Sequence, residues 1–104
     1  MSDNRISITN DQLSSSNKIT RYINKAVYSW ENYINQTLPN DEESEKWYKK
    51  AEKIAQAEAK KRGYFVSFDY PGLYPTFEIV GPDGKEYTAY TTADFFRRIN
   101  GFYD

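Results

Sequence analysis

The chain has 104 residues and a formal net charge of −1, with 38% hydrophobic and 17% aromatic residues. This apolar content excludes an intrinsically disordered chain and suffices for one modest core. The balance of charges gives no general attraction to nucleic acid or to an anionic membrane.

Cysteine is absent, whereas small secreted domains usually carry disulfides. The N-terminus lacks the basic and then apolar pattern of a signal peptide, and no segment has the apolar length of a membrane span. We therefore expect a soluble, cytoplasmic protein that does not bind membranes.

Two helices are predicted in the first part of the chain, after a polar and flexible arm over residues 1–17. Ser16 or Asn17 caps the first helix, whose apolar stripe extends to Leu38, and Pro39 stops it. Asn40 caps the second helix, which ends at Gly63. The apolar positions of the first helix are Ile19, Tyr22, Ile23, Ala26, Val27, Trp30, Tyr33, Ile34 and Leu38.

The stripe of the second helix is thin, with Trp47, Ala51, Ile54 and Ala55 as its members and Glu58 at the next core position. We expect this helix to pack mainly through Trp47 and Ile54. Tyr28 and Tyr48 lie off their stripes and are expected to be exposed.

Alternating apolar residues after Gly63 predict strands. Tyr64, Val66, Phe68 and Tyr70 share one face of the first strand; Phe77 and Ile79 mark the second, and residues 85–90 form the third. A turn at residues 81–84 joins the last two strands. Thr91 or Thr92 caps a short final helix that buries Phe95, Phe96 and Ile99. The expected fold is α+β with the order ααβββα, an antiparallel meander covered by helices on one face, in a single domain over residues 18–104.

The residue types needed for common catalysis are missing. The chain has no histidine and no cysteine, which removes the commonest general base, the commonest thiol nucleophile and nearly all zinc ligand sets. The acidic cluster Asp41 to Glu45 is explained by capping of the second helix. We expect a protein that is not an enzyme, with no catalytic residues, no cofactor and no metal.

One stretch is similar to a nucleic-acid-binding family. Residues 75–79 (PTFEI) and 83–85 (DGK) resemble the second strand and hairpin of the double-stranded-RNA-binding domain, which also ends in a helix. In that family the final helix begins with lysines aimed at phosphates, whereas this chain has Thr91-Thr92-Ala93-Asp94. The resemblance implies a shared order of elements and no shared binding residues.

A lysine ridge on the second helix supports one hypothesis about function, a nucleic-acid-binding module. Lys46, Lys49, Lys50 and Lys53 run along one side of this helix, with aromatic residues nearby. The alternative is an ordinary solvated face, because Glu42 and Glu45 precede Lys46 and Lys49 by four residues, the spacing of helix ion pairs.

Surplus tyrosine supports the preferred hypothesis, a protein-binding module. Residues 63–104 carry a net charge of −3 and the first 62 residues +2. An acidic half that bears tyrosines is suited to a basic partner, such as a nucleic-acid-handling host protein; a homodimer remains an alternative. The predicted partner-binding residues are Tyr70, Leu73 and Tyr74, with Asp69, Asp83, Glu86 and Tyr103 around them.

Small size, missing catalytic residue types and surplus tyrosine together favour a mode of action. We expect an inhibitor or adaptor that occludes its partner, of the kind that phages and mobile elements encode to act on a host nucleic-acid enzyme or defence system. Because scattered exposed aromatics are also normal on small domains, the ordinary interpretation of the tyrosines as rim residues stays open.

Overall fold

Two long helices form the first part of the computed structural model, which describes residues 10–69 and 74–101. α1 spans Asn10–Ile34 and α2 spans Glu42–Lys60. Acidic residues occupy the first turn of α2, and Lys60 lies in its last turn, an arrangement that the helix dipole favours. Gly63 follows in left-handed geometry with φ of 81°, which is typical of a glycine after the end of a helix.

A three-stranded antiparallel sheet and a short helix complete the fold. The strands are β1 (Phe65–Asp69), β2 (Thr76–Val80) and β3 (Glu86–Ala89), in the spatial order β1-β2-β3, and α3 spans Thr92–Ile99. Val66 pairs with Ile79, and Phe77 pairs with Ala89. The predicted ααβββα meander is confirmed.

The core lies between one face of the sheet and the three helices. Every second strand residue points inward and packs against buried residues of α1, α2 and α3. Phenylalanine rings connect the sheet to α3: Phe68 contacts Phe77 edge-on at 4.8 Å, and Phe77 stacks on Phe95 at 5.0 Å. The opposite face of the sheet is left without a covering layer in the described residues, because the outward strand positions are exposed or half-buried.

The bounds of α1 differ from the predicted ones. The helix begins at Asn10, so residues 10–17 are helical, and the prediction of an arm up to residue 17 is wrong for that part; residues 1–9 lie outside the described residues. Polar contacts hold the first two turns, since Gln12 and Ser16 are buried and Ser15 Oγ donates to Glu58 Oε2 at 2.7 Å. Apolar periodicity carries no signal for such contacts. The helix also ends before the predicted stop at Pro39, because Gln36 adopts φ of 65°.

The buried stripe of α2 is rotated from the predicted one. Tyr48 is only 4% exposed, so the prediction that it is exposed is wrong, whereas Trp47 is half-buried at the edge of the core. The stripe consists of small residues that let α2 approach its neighbours closely: Ser44, Ala51, Ala55 and Ala59, together with Tyr48 and Glu58. On α1, Tyr28 is exposed as predicted. No helix within residues 10–69 and 74–101 combines the length and the apolarity needed to cross a bilayer.

Candidate protein-docking surface

A pocket opens where α1, the start of β2 and the start of α3 meet; we call it the docking pocket. Its volume is about 280 Å³. Tyr74 and Tyr90 border it with exposed fractions of 61% and 69%. The lining consists of Thr20, Ile23 and Asn24 from α1, Tyr74, Pro75 and Phe77 from the β2 segment, and Tyr90, Thr91, Thr92 and Ala93 from the start of α3. Large aromatic rings beside a concave apolar wall are typical of protein interfaces.

Local chemistry holds the walls of the docking pocket. Thr91 has extended backbone geometry, and its Oγ1 accepts a hydrogen bond from the Asp94 backbone N–H at 3.0 Å, which caps α3. The hydroxyl groups of Thr20 and Thr92 lie 3.2 Å apart in a hydrogen bond that ties α1 to the first turn of α3. These two hydrogen bonds involve residues of the pocket wall between α1 and α3.

We call the exposed side of the sheet the outer face. It adjoins the docking pocket where β1 ends and β2 begins. Three of its members are acidic (Asp69, Glu78 and Glu86) and none is basic. Glu78 lies in the centre, where its carboxylate accepts hydrogen bonds from the hydroxyl groups of Thr76 at 2.9 Å and Thr88 at 3.1 Å. The outer face consists of Phe65, Ser67, Asp69, Thr76, Glu78, Val80, Glu86 and Thr88.

The two arginines of this half of the chain engage other groups, whereas Lys85 lies at the hairpin beside Glu86. Arg97 pairs with Asp94 at 3.6 Å on α3, and the guanidinium of Arg98 lies 5.4 Å from the ring centre of Tyr87. Both arginines belong to α3, whereas the carboxylates of the outer face project from the sheet. Three of the five described acidic residues of this half therefore lie on the outer face, and both arginines lie on α3.

The structure divides the predicted partner-binding residues between the two ends of the sheet. Tyr74 borders the docking pocket, and Asp69 pairs with Thr76 at that end. Asp83 and Glu86 lie at the hairpin end, one length of β2 or about 13 Å away. Asp83 Oδ1 accepts from the Lys85 backbone N–H at 3.1 Å and so shapes the turn. The other three predicted residues, Tyr70, Leu73 and Tyr103, lie outside the described residues.

The predicted partner-binding residues did not include two exposed aromatic residues, one on the outer face and one at the docking pocket. Phe65 is 69% exposed and pairs with Val80 across the outer face, and Tyr90 follows the last strand residue. A signal for Phe65 was available, because it alternates with the inward residues Tyr64 and Val66 and must point outward. No comparable signal marks Tyr90, whose position depends on how the chain turns from β3 into α3.

The predicted lysine ridge is rearranged into a different group, which we call the lysine cluster: Lys25, Lys46 and Lys50 around Trp47. Their Nζ atoms lie 4.6, 4.8 and 5.3 Å from the centre of the indole. Lys25 comes from α1 and was not predicted. Lys49 pairs with Glu45 at 3.9 Å, and Lys53 is exposed, so both lie outside the cluster.

A buried polar network joins the three helices and is structural in character. Glu58 is 5% exposed, and its carboxylate contacts Ser15, Lys61 and Arg62. Arg62 Nε donates to Asn100 Oδ1 at 2.9 Å. None of these residues lines the docking pocket. Among the residues with a described structure, no three acidic side chains come close enough together to hold a metal ion.

Comparisons of the chain with protein-family models, with curated proteins and with solved structures find no match. The resemblance of residues 75–79 and 83–85 to the double-stranded-RNA-binding domain therefore receives no support from a relative.

Proposed function

We propose that this chain is a non-enzymatic protein-binding module that inhibits or adapts a basic partner protein by covering part of its surface. The observation that carries the proposal is the docking pocket between two exposed tyrosines, Tyr74 and Tyr90. The expectation of a phage or mobile-element inhibitor in the cytoplasm of its host belongs to this proposal.

The size of the docking pocket favours a protein side chain as its occupant. Its volume of about 280 Å³ lies at the lower limit of the roughly 300–1,000 Å³ that small-molecule sites occupy. Interface energy is usually concentrated in a few aromatic or arginine anchors that fill such concavities, and tyrosines at the border are typical of them. Tyr74 and Tyr90 supply large contact areas at a small cost in side-chain entropy.

The charge of the outer face favours a basic partner. Asp69, Glu78 and Glu86 present three carboxylates without a neighbouring lysine or arginine on the same face. Complementary charges steer association and exclude like-charged competitors, and they act most strongly at low salt. The groove of a protein that handles nucleic acid, where positive charge normally binds phosphate, has the required sign.

The test is a capture experiment with three baits: the wild-type chain, the pocket variant Tyr74→Ala/Tyr90→Ala, and the control Tyr28→Ala. Tyr28 is 67% exposed on α1 and lies outside the docking pocket, so it controls for the loss of an exposed tyrosine elsewhere. We expect nuclease-treated host lysate to give one stoichiometric protein with the wild type and the control. The purified partner should bind the pocket variant at least about 30-fold more weakly, because an interface anchor is worth about 2 kcal/mol or more.

Three results would contradict the proposal. Equal binding by the pocket variant and the wild type would place the interface elsewhere. If no protein were captured after nuclease treatment, nucleic acid and not a protein would be the ligand. Self-association of the purified chain that the pocket variant abolishes would assign the surface to a second copy of this chain. Melting curves of all three proteins show whether the substitutions alter folding.

A further inference from the structure

Three ammonium groups converge on one indole at the junction of α1 and α2. Lys25, Lys46 and Lys50 place Nζ within 5.3 Å of the Trp47 ring centre, and Lys50 also lies 5.9 Å from the ring centre of Tyr22. Tyr22 stacks on Trp47 with 5.5 Å between centroids and an angle of 24°. The cluster is thus built from both helices around a stacked aromatic pair.

The charge of this cluster is only partly neutralised. Glu43 accepts a hydrogen bond from Trp47 Nε1 at 3.0 Å and pairs with Lys46 at 3.6 Å. Among the described residues, Lys25 and Lys50 form no ion pair with a carboxylate. The indole face attracts cations but carries no net charge, so it holds the ammonium groups together without cancelling their charge. A surplus of positive charge remains at one point of the helical layer.

We propose that the lysine cluster binds the phosphodiester backbone of a nucleic acid. Lys25 and Lys50 have no carboxylate partner among the described residues, and a nucleic-acid strand supplies a negative charge at every nucleotide, so neighbouring phosphates can contact both ammonium groups. Because Tyr22 and the lysines already contact the indole, the cluster acts through phosphate contacts and gives binding that does not depend on base sequence. The site is separate from the docking pocket and does not rest on the protein-binding proposal.

The experiment measures fluorescence anisotropy of a labelled oligothymidylate of about 20 nucleotides, a length that spans several phosphates. We expect the wild-type chain to bind it and to lose affinity about 5- to 20-fold between roughly 50 mM and 200 mM salt, as two or three phosphate contacts predict. The variant Lys25→Glu/Lys50→Glu should reduce affinity at least about 10-fold at the lower salt concentration. Lys25→Gln/Lys50→Gln, which removes charge without reversing it, should show an intermediate loss.

A matched control separates the lysine cluster from the total charge of the protein. Lys53 and Lys60 are exposed on α2 and do not contact Trp47, so Lys53→Glu/Lys60→Glu changes the net charge equally. This control should keep an affinity within about threefold of the wild type, because its charge change lies outside the cluster.

Trp47 offers a second readout. The chain has two tryptophans, so Trp30→Phe leaves Trp47 as the sole source of indole emission. This emission should change on addition of the oligonucleotide.

Each of the remaining outcomes overturns the proposal. Absence of binding at about 50 mM salt would show that the cluster does not hold phosphate, since electrostatic contacts are strongest there. Equal losses in the cluster variant and in the control would attribute binding to total charge. Binding of a polyglutamate peptide of similar charge with equal affinity would identify an acidic protein segment as the ligand instead.

Discussion

The side-chain amides of Gln12 and Asn100 are joined by two hydrogen bonds. Gln12 Nε2 donates to Asn100 Oδ1 at 3.1 Å, and Asn100 Nδ2 donates to Gln12 Oε1 at 2.9 Å. Gln12 belongs to the first turns of α1, whereas Asn100 follows α3. Because Arg62 also donates to Asn100 Oδ1, this amide pair connects the beginning of α1 to both other helices.

We expect Gln12→Ala to lower the free energy of unfolding by about 1–3 kcal/mol, because the partly buried Asn100 amide loses two hydrogen bonds. Urea denaturation measures the change. Ser14→Ala is the control, since Ser14 is exposed on the same helix and its removal should change stability by less than about 0.5 kcal/mol. If Gln12→Ala and Asn100→Ala had additive effects in the double variant, the two amides would not be coupled.

The N-cap of α3 gives a second prediction, and it decides between the two threonines that the sequence allowed. Thr91 Oγ1 accepts from the Asp94 backbone N–H, so Thr91→Ala should lower the free energy of unfolding by about 1 kcal/mol. Thr92→Ala keeps the cap and removes only an exposed contact to Thr20, so it should cost less than about 0.5 kcal/mol. Thermal denaturation compares the two; the reverse order would show that the cap is not formed as described.

Much of the fold could be predicted because local chemistry and tertiary structure agree in the second half of the chain. Alternation places Val66 and Phe68 inward, and both are buried. The turn at residues 81–84 forms as its Pro-Asp-Gly sequence predicts, with Gly84 at φ of 84° and its N–H donating to the Gly81 carbonyl at 3.0 Å. The surrounding structure did not have to override any of these preferences.

The rotation of α2 could not be predicted from the same rules. Trp47 and Tyr48 are adjacent, so only one of them can face the core, and the alanines that follow are compatible with either choice. In the folded chain Tyr48 is buried and Trp47 lies at the margin, where it stacks on Tyr22. Contacts between elements decide which of the two aromatic residues faces the core. The apolar pattern of a single helix contains no information about such contacts.

The candidate surfaces were only partly predictable for a related reason. Tyr74 was among the predicted partner-binding residues and does border a pocket, but the other walls come from α1 and α3. Lys46 and Lys50 were selected as part of a ridge, whereas Lys25 joins them from α1. Residues that converge from separate elements depend on topology, which local spacing does not specify.

The edge of β1 that does not pair with another strand gives a third prediction. Glu52 Oε2 accepts from the Phe68 backbone N–H at 2.8 Å, and Gln56 Nε2 donates to the Val66 carbonyl at 3.3 Å, so side chains of α2 satisfy strand groups that face away from β2. Covered edges resist pairing with other chains. We expect Glu52→Ala/Gln56→Ala to speed hydrogen exchange of the Phe68 amide at least about tenfold, in line with the loss of more than about 1.4 kcal/mol of protection.

The same variant should also self-associate more strongly, which sedimentation velocity measures over a range of concentrations. Glu45→Ala/Lys49→Ala is the matched control, since it removes an exposed ion pair from the same helix without touching β1. Unchanged exchange at Phe68 in the Glu52→Ala/Gln56→Ala variant would show that α2 does not protect the edge through these side chains.

Gln36 gives the last prediction, because it has φ of 65° in the connection between α1 and α2. Left-handed geometry brings the Cβ of an ordinary residue close to its own backbone, and glycine avoids this contact. Gln36→Gly should therefore raise the free energy of unfolding by about 0.5–1 kcal/mol, the excess of the relieved strain over the added freedom of the unfolded chain. Gln36→Ala keeps the Cβ and should give no gain, whereas Gln36→Val should lower stability because branched residues tolerate this region worst. Urea denaturation measures the free energy of unfolding of the three variants. If Gln36→Ala raised it as much as Gln36→Gly, the cause would be loss of the glutamine side chain and not relief of backbone strain.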